Sequence, residues 1–429
     1  MNIRTRIGRA LIQIFCIAVI LTPVNVTAQS RPGMVTVMHY FTGELGRKGI
    51  NEIFSEFQKS SKVTVFDNPI GHENFKSTIL EMARGGYQPD MFSYWAGART
   101  QFVADMRKVR PIDGFWNSNN LDQIVLPAIA NSATRYNGKR YLVPFGYHFV
   151  GIFYNTKVLR DAGFVQAPSN WDEFVALCKA VKAKGIVPIA LGSKHGWPAQ
   201  FWFDYLLIQT AGLKYRDRLM RGDAAYTDPE VKHAIKLWRE LLQAGFFVDQ
   251  ANSYDWTNAA DQVSRGDAAM TLMGTWITGY WNGRGFKPES DYDFFEFPVI
   301  DASRPRVALG PVDGFLFSSN SANLQQAQAL AYFMISDVRA QSIWATSQGA
   351  LSPNKKVDRS VYTPVMRRAQ EAVNNADHFA FAYDLATPPP IATVGLKLFT
   401  QFIDEPDKLD EYLAQTEKEA RRLFKGISD

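Results

Sequence analysis

Apolar positions in the first hundred residues switch between two spacings. Met34–His39 reads M-V-T-V-M-H, a short apolar run that suits a buried strand. Ile50, Ile53, Phe54 and Phe57 then recur at three- and four-residue intervals, which marks one face of a helix. Val63–Phe66 returns as a strand. Phe75, Ile79 and Met82 mark a second helix, ended by Gly85-Gly86, and Met91–Tyr94 is a third strand. This β-α-β-α-β opening predicts a parallel sheet with helices on its faces. Such sheets bind ligands at the carboxyl ends of their strands, where the loops Tyr40–Glu44 and Trp95–Gly97 stand.

A second unit follows the same pattern. Val150–Tyr154 is a strand, and Asn155 caps a short helix that Gly163 ends. Ser169 is expected to cap a longer helix, with Asp172 at its third position and Gly185 as its stop. Ile186–Leu191 reads as a strand. Asp228-Pro229 is a helix start, a capping Asp followed by Pro at the first helical position. Val231, Ile235, Trp238, Leu241 and Leu242 form that helix's apolar face, and Gly245 ends it. Further strands are expected at Ala268–Met273, Phe294–Val299 and Gly314–Ser318, with a long helix from about Asn323 and a mostly helical C-terminal part. There is no internal repeat and no low-complexity linker. Two α/β lobes without a linker imply lobes joined by several chain crossings.

Composition narrows the function classes. The 429 residues are 46% apolar and 21% charged, a globular balance that excludes disordered and disulfide-dense classes. The net charge of +5 is misleading. Arg4, Arg6 and Arg9 supply three of those charges, and the first 28 residues hold no acid. Without them, 44 basic residues face 42 acidic ones, and no basic block of the kind nucleic acid needs is present. Those first residues read as an address: a basic start, an apolar run over residues 10–21, a break at Pro23 and Asn25, and small residues in Val26-Thr27-Ala28. Residues 1–28 are therefore expected to be a signal peptide cleaved after Ala28. Cys16 lies inside the apolar run rather than after a cleavage site, which argues against a lipid anchor and for a free periplasmic protein. No later stretch reaches 18 apolar residues, so the mature chain is expected to be soluble. Cys178 is then the only cysteine left, and its spacing from Trp171, Phe174 and Val181 puts it on an apolar helix face as a core thiol.

Three segments carry a family resemblance. Y-L-V-P-F-G-Y-H-F-V-G-I-F-Y-N-T-K-V-L (141–159) is followed by D-A-G-F, P-S-N-W-D-E-F and G-I-V-P-I-A-L-G. V-S-R-G-D-A-A-M-T-L-M-G-T-W covers 263–276, and G-P-V-D-G-F-L-F-S-S-N through S-Q-G-A-L-S-P covers 310–353. Their order and spacing resemble the family 1 extracellular solute-binding proteins, sugar-binding subunits of ATP-driven importers with maltose-binding protein as type member. The resemblance implies an α/β, two-lobe periplasmic-binding-protein fold with three hinge crossings and a ligand cleft between the lobes. The crossings would lie near Gly146–Phe149, Leu309–Asp313 and Ala350–Asn354. The N-terminal lobe would be 29–147 plus 312–351, and the C-terminal lobe 148–311 plus 352–429. The implied partners are a small carbohydrate and the membrane permease of an ABC importer, with the protein a monomer and no cofactor.

A sugar offers apolar ring faces and a rim of hydroxyls, so its site needs aromatic plates and polar groups. Of the ten Trp, Trp95, Trp197 and Trp276 each follow a strand and, with the resemblance, read as plates; Trp171, Trp238 and Trp344 lie on helix faces and read as core. Tyr40, Gly43 and Glu44 follow the first strand in H-Y-F-T-G-E-L-G. Glu44 is either a helix-start acid or a hydroxyl acceptor. The run G-E-L-G also resembles the glycerol-3-phosphate binders of the family, where the acid contacts glycerol hydroxyls. His72 and Asn74 in G-H-E-N-F are placed on the same side. The resemblance puts His148 at the first crossing facing the cleft, Asp313 at the second, and Tyr383 and Asp384 in a late segment that sends contacts inward. The six His show no metal-ligand spacing, and there is no phosphate loop or G-x-S-x-G elbow. Two other functions compete. A receptor for glycerol-3-phosphate or a related polyol phosphate would want cations, and Lys194 is the nearest to the candidate contacts. An exported glycan-active enzyme would want two facing carboxylates. Neither is favoured, so no catalytic residue is expected.

Overall fold

The computed structural model describes residues 33–86 and 88–428, so the expected signal peptide lies outside the described residues. The chain runs from β1 (Met34–His39) through α1 (Glu44–Ser61) to β2 (Thr64–Pro69), then through α2 (His72–Gly85) to β3 (Met91–Trp95) and α3 (Ala98–Asp105). After β4 (Val143–Tyr147) and β5 (Val150–Asn155) come α4 (Trp171–Ala183), β6 (Val187–Ile189), α5 (Gln200–Ala211) and α6 (Pro229–Gln243). Then follow β7 (Ala268–Gly274), α7 (Trp276–Asn282), β8 (Tyr292–Phe295), β9 (Val312–Phe317), α8 (Leu324–Ser336) and α9 (Val338–Gln348).

These elements form two lobes, each with its own sheet and core. A five-stranded sheet has the order β2-β1-β3-β9-β4, and a four-stranded sheet has the order β8-β5-β7-β6. The expectation of parallel sheets holds only in part. β1 pairs in parallel with β2 and β3, but β9 runs antiparallel to both β3 and β4. In the second sheet β6–β7 is parallel, and β5 is antiparallel to β7 and β8. The antiparallel members are the strands next to the crossings, because a strand entering a lobe from its neighbour has no βαβ crossover to orient it. The first core gathers buried residues from Val35–Tyr147 and Val312–Leu351, with Tyr362, Met366 and Leu385 returning from the C-terminal part. The second core includes Cys178, whose thiol is buried and pushed up by burial.

Local signals explain the element ends and their departures. Asn155 accepts from the backbone N–H of Lys157 and Val158. The cap of α4 is Asn170 rather than Ser169: Asn170 accepts from Glu173 N, and Ser169 instead gives its N–H and hydroxyl to the Glu173 carboxylate. Pro229 opens α6, but the Asp228 carboxylate turns away from the helix to take the Tyr215 hydroxyl at 2.9 Å and Ala225 N at 3.0 Å. Trp238 and Trp344 are core residues, while Trp171, at the start of α4, is partly buried against Phe174 and Phe297.

The lobes meet where three segments cross side by side. His148 N donates to Pro311 O at 3.0 Å, and Tyr147 and Leu351 exchange backbone hydrogen bonds at 2.9 and 2.8 Å. The first two segments approach so closely that a Cβ on Gly310 would stand 1.9 Å from His148 O, so only glycine fits. Among the described residues no helix is long and apolar enough to cross a membrane.

Candidate functional site

Between the lobes lies a cavity of about 330 Å³. Ten of the residues singled out from sequence line it: Tyr40, Gly43, Glu44, His72, Trp95, His148, Trp197, Trp276, Asp313 and Asp384. Asn74 is exposed on the outer side of α2 and does not line it. Tyr383 is a core residue whose hydroxyl meets that of Tyr226.

The floor is set by the crossings. Asp313 sits at a register shift between β9 and β4, a bulge that re-aims its side chain. Its carboxylate accepts the Tyr40 hydroxyl on one oxygen at 2.6 Å and meets His148 Nε2 with the other at 3.2 Å. His148 Nδ1 lies 2.9 Å from the Thr275 hydroxyl. A chain of four groups therefore runs from one lobe, through both crossings, to the other. Burial, and then the charge of Asp313, push the Tyr40 phenol well above its usual range, so it stays a donor. Tyr40 also stacks on Trp95, with ring centroids 4.3 Å apart and planes 18° from parallel.

The second lobe supplies an aromatic wall. Trp276 is the first residue of α7 rather than part of a loop, and a Cβ on Gly274 would stand 2.0 Å from its ring. Glycine there lets the indole lie across the end of β7. Trp197 lies in the segment before α5, 6.0 Å from Trp276, and both rings pack near Phe201. Trp256 and Tyr280, missed from the sequence, extend the wall.

The mouth holds charges that sequence reading did not pair. Asp384 is 2% exposed. Its carboxylate takes Lys76 Nζ at 2.8 Å and Arg99 at 3.3 Å on one oxygen and Gln200 Nε2 at 3.0 Å on the other. Burial alone would raise this carboxyl, but the charges of Lys76 and Arg99 and the hydrogen bonds of Lys76 and Gln200 outweigh it and hold it at about 2. Asp384, expected from the resemblance to send a contact into the cleft, is thus a bridge between lobes. The backbone before it is anchored by a buried ion pair: Asp204 accepts from Tyr383 N at 2.7 Å and pairs with Arg216 at 2.7 Å. Burial pushes Asp204 up to about 6 against the pull of Arg216.

Lys194 does not line the cavity and instead lies 3.6 Å from Asp255. The lining cations are Lys76, paired with Asp384, and Arg284, whose guanidinium lies 3.6 Å from the Tyr280 ring centroid. Against these two stand three lining acids, Glu44, Asp313 and Asp384. Glu44 is exposed at the first turn of α1 and, among the described residues, has no side-chain partner. Opposite it is Gln348, whose amide fills the notch left by Gly46. An E-x-x-K spacing, Glu73 and Lys76 on one turn of α2, was the one sequence cue that could have revealed the mouth charges. Among the described residues no group of three ligating side chains could hold a metal.

Comparison with known proteins follows from this geometry. The family model described as bacterial extracellular solute-binding protein matches residues 43–340. An ABC transporter extracellular-binding protein of Pyrococcus horikoshii is 25% identical over 339 residues, 77% of this chain and 74% of that protein. A probable sugar-binding periplasmic protein of Mesorhizobium japonicum is 29% identical over 181 residues, 42% of each chain. The solved structure of the solute receptor AcbH, described as exclusive for β-D-galactopyranose, has a TM-score of 0.85 at 25% identity, covering 91% of this chain and 99% of that one.

Proposed function

The chain belongs to the bacterial extracellular solute-binding protein family, and we propose that within it this protein captures an uncharged sugar of one or two rings for delivery to a membrane permease. The observation that carries the reading is the cavity itself. It combines an aromatic wall of Trp197, Trp256 and Trp276 with polar groups across from it, the pairing that a sugar's apolar faces and hydroxyls require. Its volume of about 330 Å³ is near the lower end of small-ligand sites, which suits a short saccharide. The receptor AcbH, alike in fold at TM-score 0.85, is named for a single pyranose.

Charge bookkeeping supports an uncharged ligand. Lys76 is matched by Asp384, so the lining offers no spare buried cation for a phosphate dianion. The groups left to read hydroxyls are Glu44, Gln348, His72 Nε2 and Arg284. Both oxygens of Asp313 and of Asp384 are already taken by protein donors, which speaks for a receptor rather than a glycan-active enzyme. The protein would act as a monomer in the periplasm, with its mature chain starting near Gln29 after loss of a signal peptide.

A thermal-shift panel tests the ligand class. It should include neutral mono- and disaccharides, glycosyl-polyols and glycerol 3-phosphate. A neutral sugar at 100 times its Kd should add about 2.7 kcal/mol of stability, and glycerol 3-phosphate should add none. A response to glycerol 3-phosphate alone would replace the sugar by a polyol phosphate.

A further inference from the structure

We propose that Glu73 is a positioning residue: it takes the indole N–H of Trp197 across the cleft, so the angle of a plate on one lobe is set by a carboxylate on the other. The inference rests on the reading of the cleft as a sugar site and adds to it the device that orients one wall.

The geometry begins with the first turn of α2. His72 and Glu73 lie there, Lys76 follows one turn on, and all three have partners or ring contacts on the second lobe. Glu73 Oε1 accepts from Trp197 Nε1 at 3.1 Å and lies 2.9 Å from His72 Nδ1. Glu73 Oε2 is 3.8 Å from His195 Nδ1, and Asp255 holds His195 by Nε2 at 2.8 Å. One turn further along, Lys76 bonds Asp384. The charged and titratable groups around Glu73 are thus His72 and Lys76 on its own helix and His195, backed by Asp255, from the other lobe.

Trp197 needs such an anchor. An indole has one donor, its N–H, and no acceptor. Its ring neighbours have centroids 5.7 Å away at His72, 5.9 Å at Phe201 and 6.0 Å at Trp276. Such contacts hold a plate at a depth but leave its tilt loosely set. A hydrogen bond to an ionised acceptor fixes the tilt and is of the stronger kind. Burial opposes the Glu73 charge, but the hydrogen bond and charge of His72, then the charge of Lys76 and the indole N–H, hold its carboxyl at about 2. Glu73 is therefore an ionised acceptor at neutral pH. Because donor and acceptor belong to different lobes, the bond forms only when the lobes are together. The plate is then set at the moment a ligand is enclosed.

Two arms test this on the full mature chain. The first reads the contact in the closed chain, at saturating D-galactose or maltose. In ¹⁵N-labelled protein, the Trp197 indole N–H should then exchange with solvent about tenfold more slowly than in E73L, with E73Q, which keeps a carbonyl acceptor, close to the native rate. Equal exchange in native and E73L chains overturns the proposal. The second arm uses D-galactose and maltose as probes. E73L should release a bound probe about tenfold faster, E73Q much less so. W197F, which keeps a ring and loses the N–H, should cost less in the E73L background than in the native chain. Additive losses overturn the positioning role and leave the sugar site standing. A native chain that binds neither probe counts against the sugar reading and, with it, against the positioning role. If circular dichroism shows E73L unfolded, E73Q and W197F are compared with the native chain in both arms, and native-like release in W197F then overturns the proposal.

Discussion

The floor and the mouth of the cleft are both built on buried aspartates, yet they differ in what their bonds connect. At the floor, Asp313 ties Tyr40 to His148 and so joins segments that already lie side by side through backbone pairing. Those bonds survive a hinge motion because their partners turn about the same axis. At the mouth, Asp384 and Glu73 tie residues of opposite lobes: Lys76 and Arg99 to the first, Trp197 to the second. These must break for the lobes to part. The same residue type therefore holds a pivot in one place and a closure contact in the other, and the difference lies in whether the backbone beside it is shared.

The largest expected effect tests what holds the mouth in place. Asp204→Ala would leave Arg216, which is 1% exposed, without its buried counter-charge and with only the more exposed Asp217 at 3.4 Å, and would free the N–H of Tyr383 next to Asp384. Breaking a buried pair from one side costs about 3–5 kcal/mol, read as a lower midpoint in denaturant. A native midpoint would mean that the loop before Asp384 is held by other contacts.

A smaller effect probes the mouth by pH. Asp384 and Glu73 have carboxyls at about 2, below their ordinary values of 3.8 and 4.5. Groups with depressed values contribute stability that is present above about pH 4.5 and is lost as pH falls through 2. For Asp384 the contribution is about 2 kcal/mol. Melting temperature should fall between pH 4.5 and 2, and Asp384→Asn should make that fall shallower. An unchanged slope would remove Asp384 from the account of acid sensitivity.

The smallest effect sharpens the same contrast. Asp313→Asn should cost about 1–2 kcal/mol, because Tyr40 keeps a carbonyl acceptor while His148 loses a charged one. The denaturant midpoint reads that cost, and a native midpoint would mean that Asp313 does not brace the floor.

What was legible in the sequence follows the same division. Strand ends and glycine stops are local, so Tyr40, Trp95 and Trp276 were found from their places after a strand together with the family resemblance, which also supplied the crossings. The cap of α4 was placed one residue early because Ser169 and Asn170 are both good caps, and only the fold shows which one Glu173 engages. Antiparallel pairing of β9 was hidden, since a short apolar run carries no direction. The mouth was read least well. Lys76 and Asp384 are 308 residues apart, and Glu73 and Trp197 are 124 apart, so no spacing rule links them. Asp384 was found as a cleft residue, but its role as a bridge depends on Gln200, Lys76 and Arg99 converging from three helices.

Small-angle scattering, with and without the neutral sugar that gives the largest thermal shift, tests the central claim most directly. A ligand held by both lobes binds the closed arrangement better and must shift the population toward it. The account expects the radius of gyration to fall on saturation, with a matching change in tryptophan fluorescence. A radius that stays the same at saturating sugar, in a native chain whose unliganded form is measurably open, would contradict it.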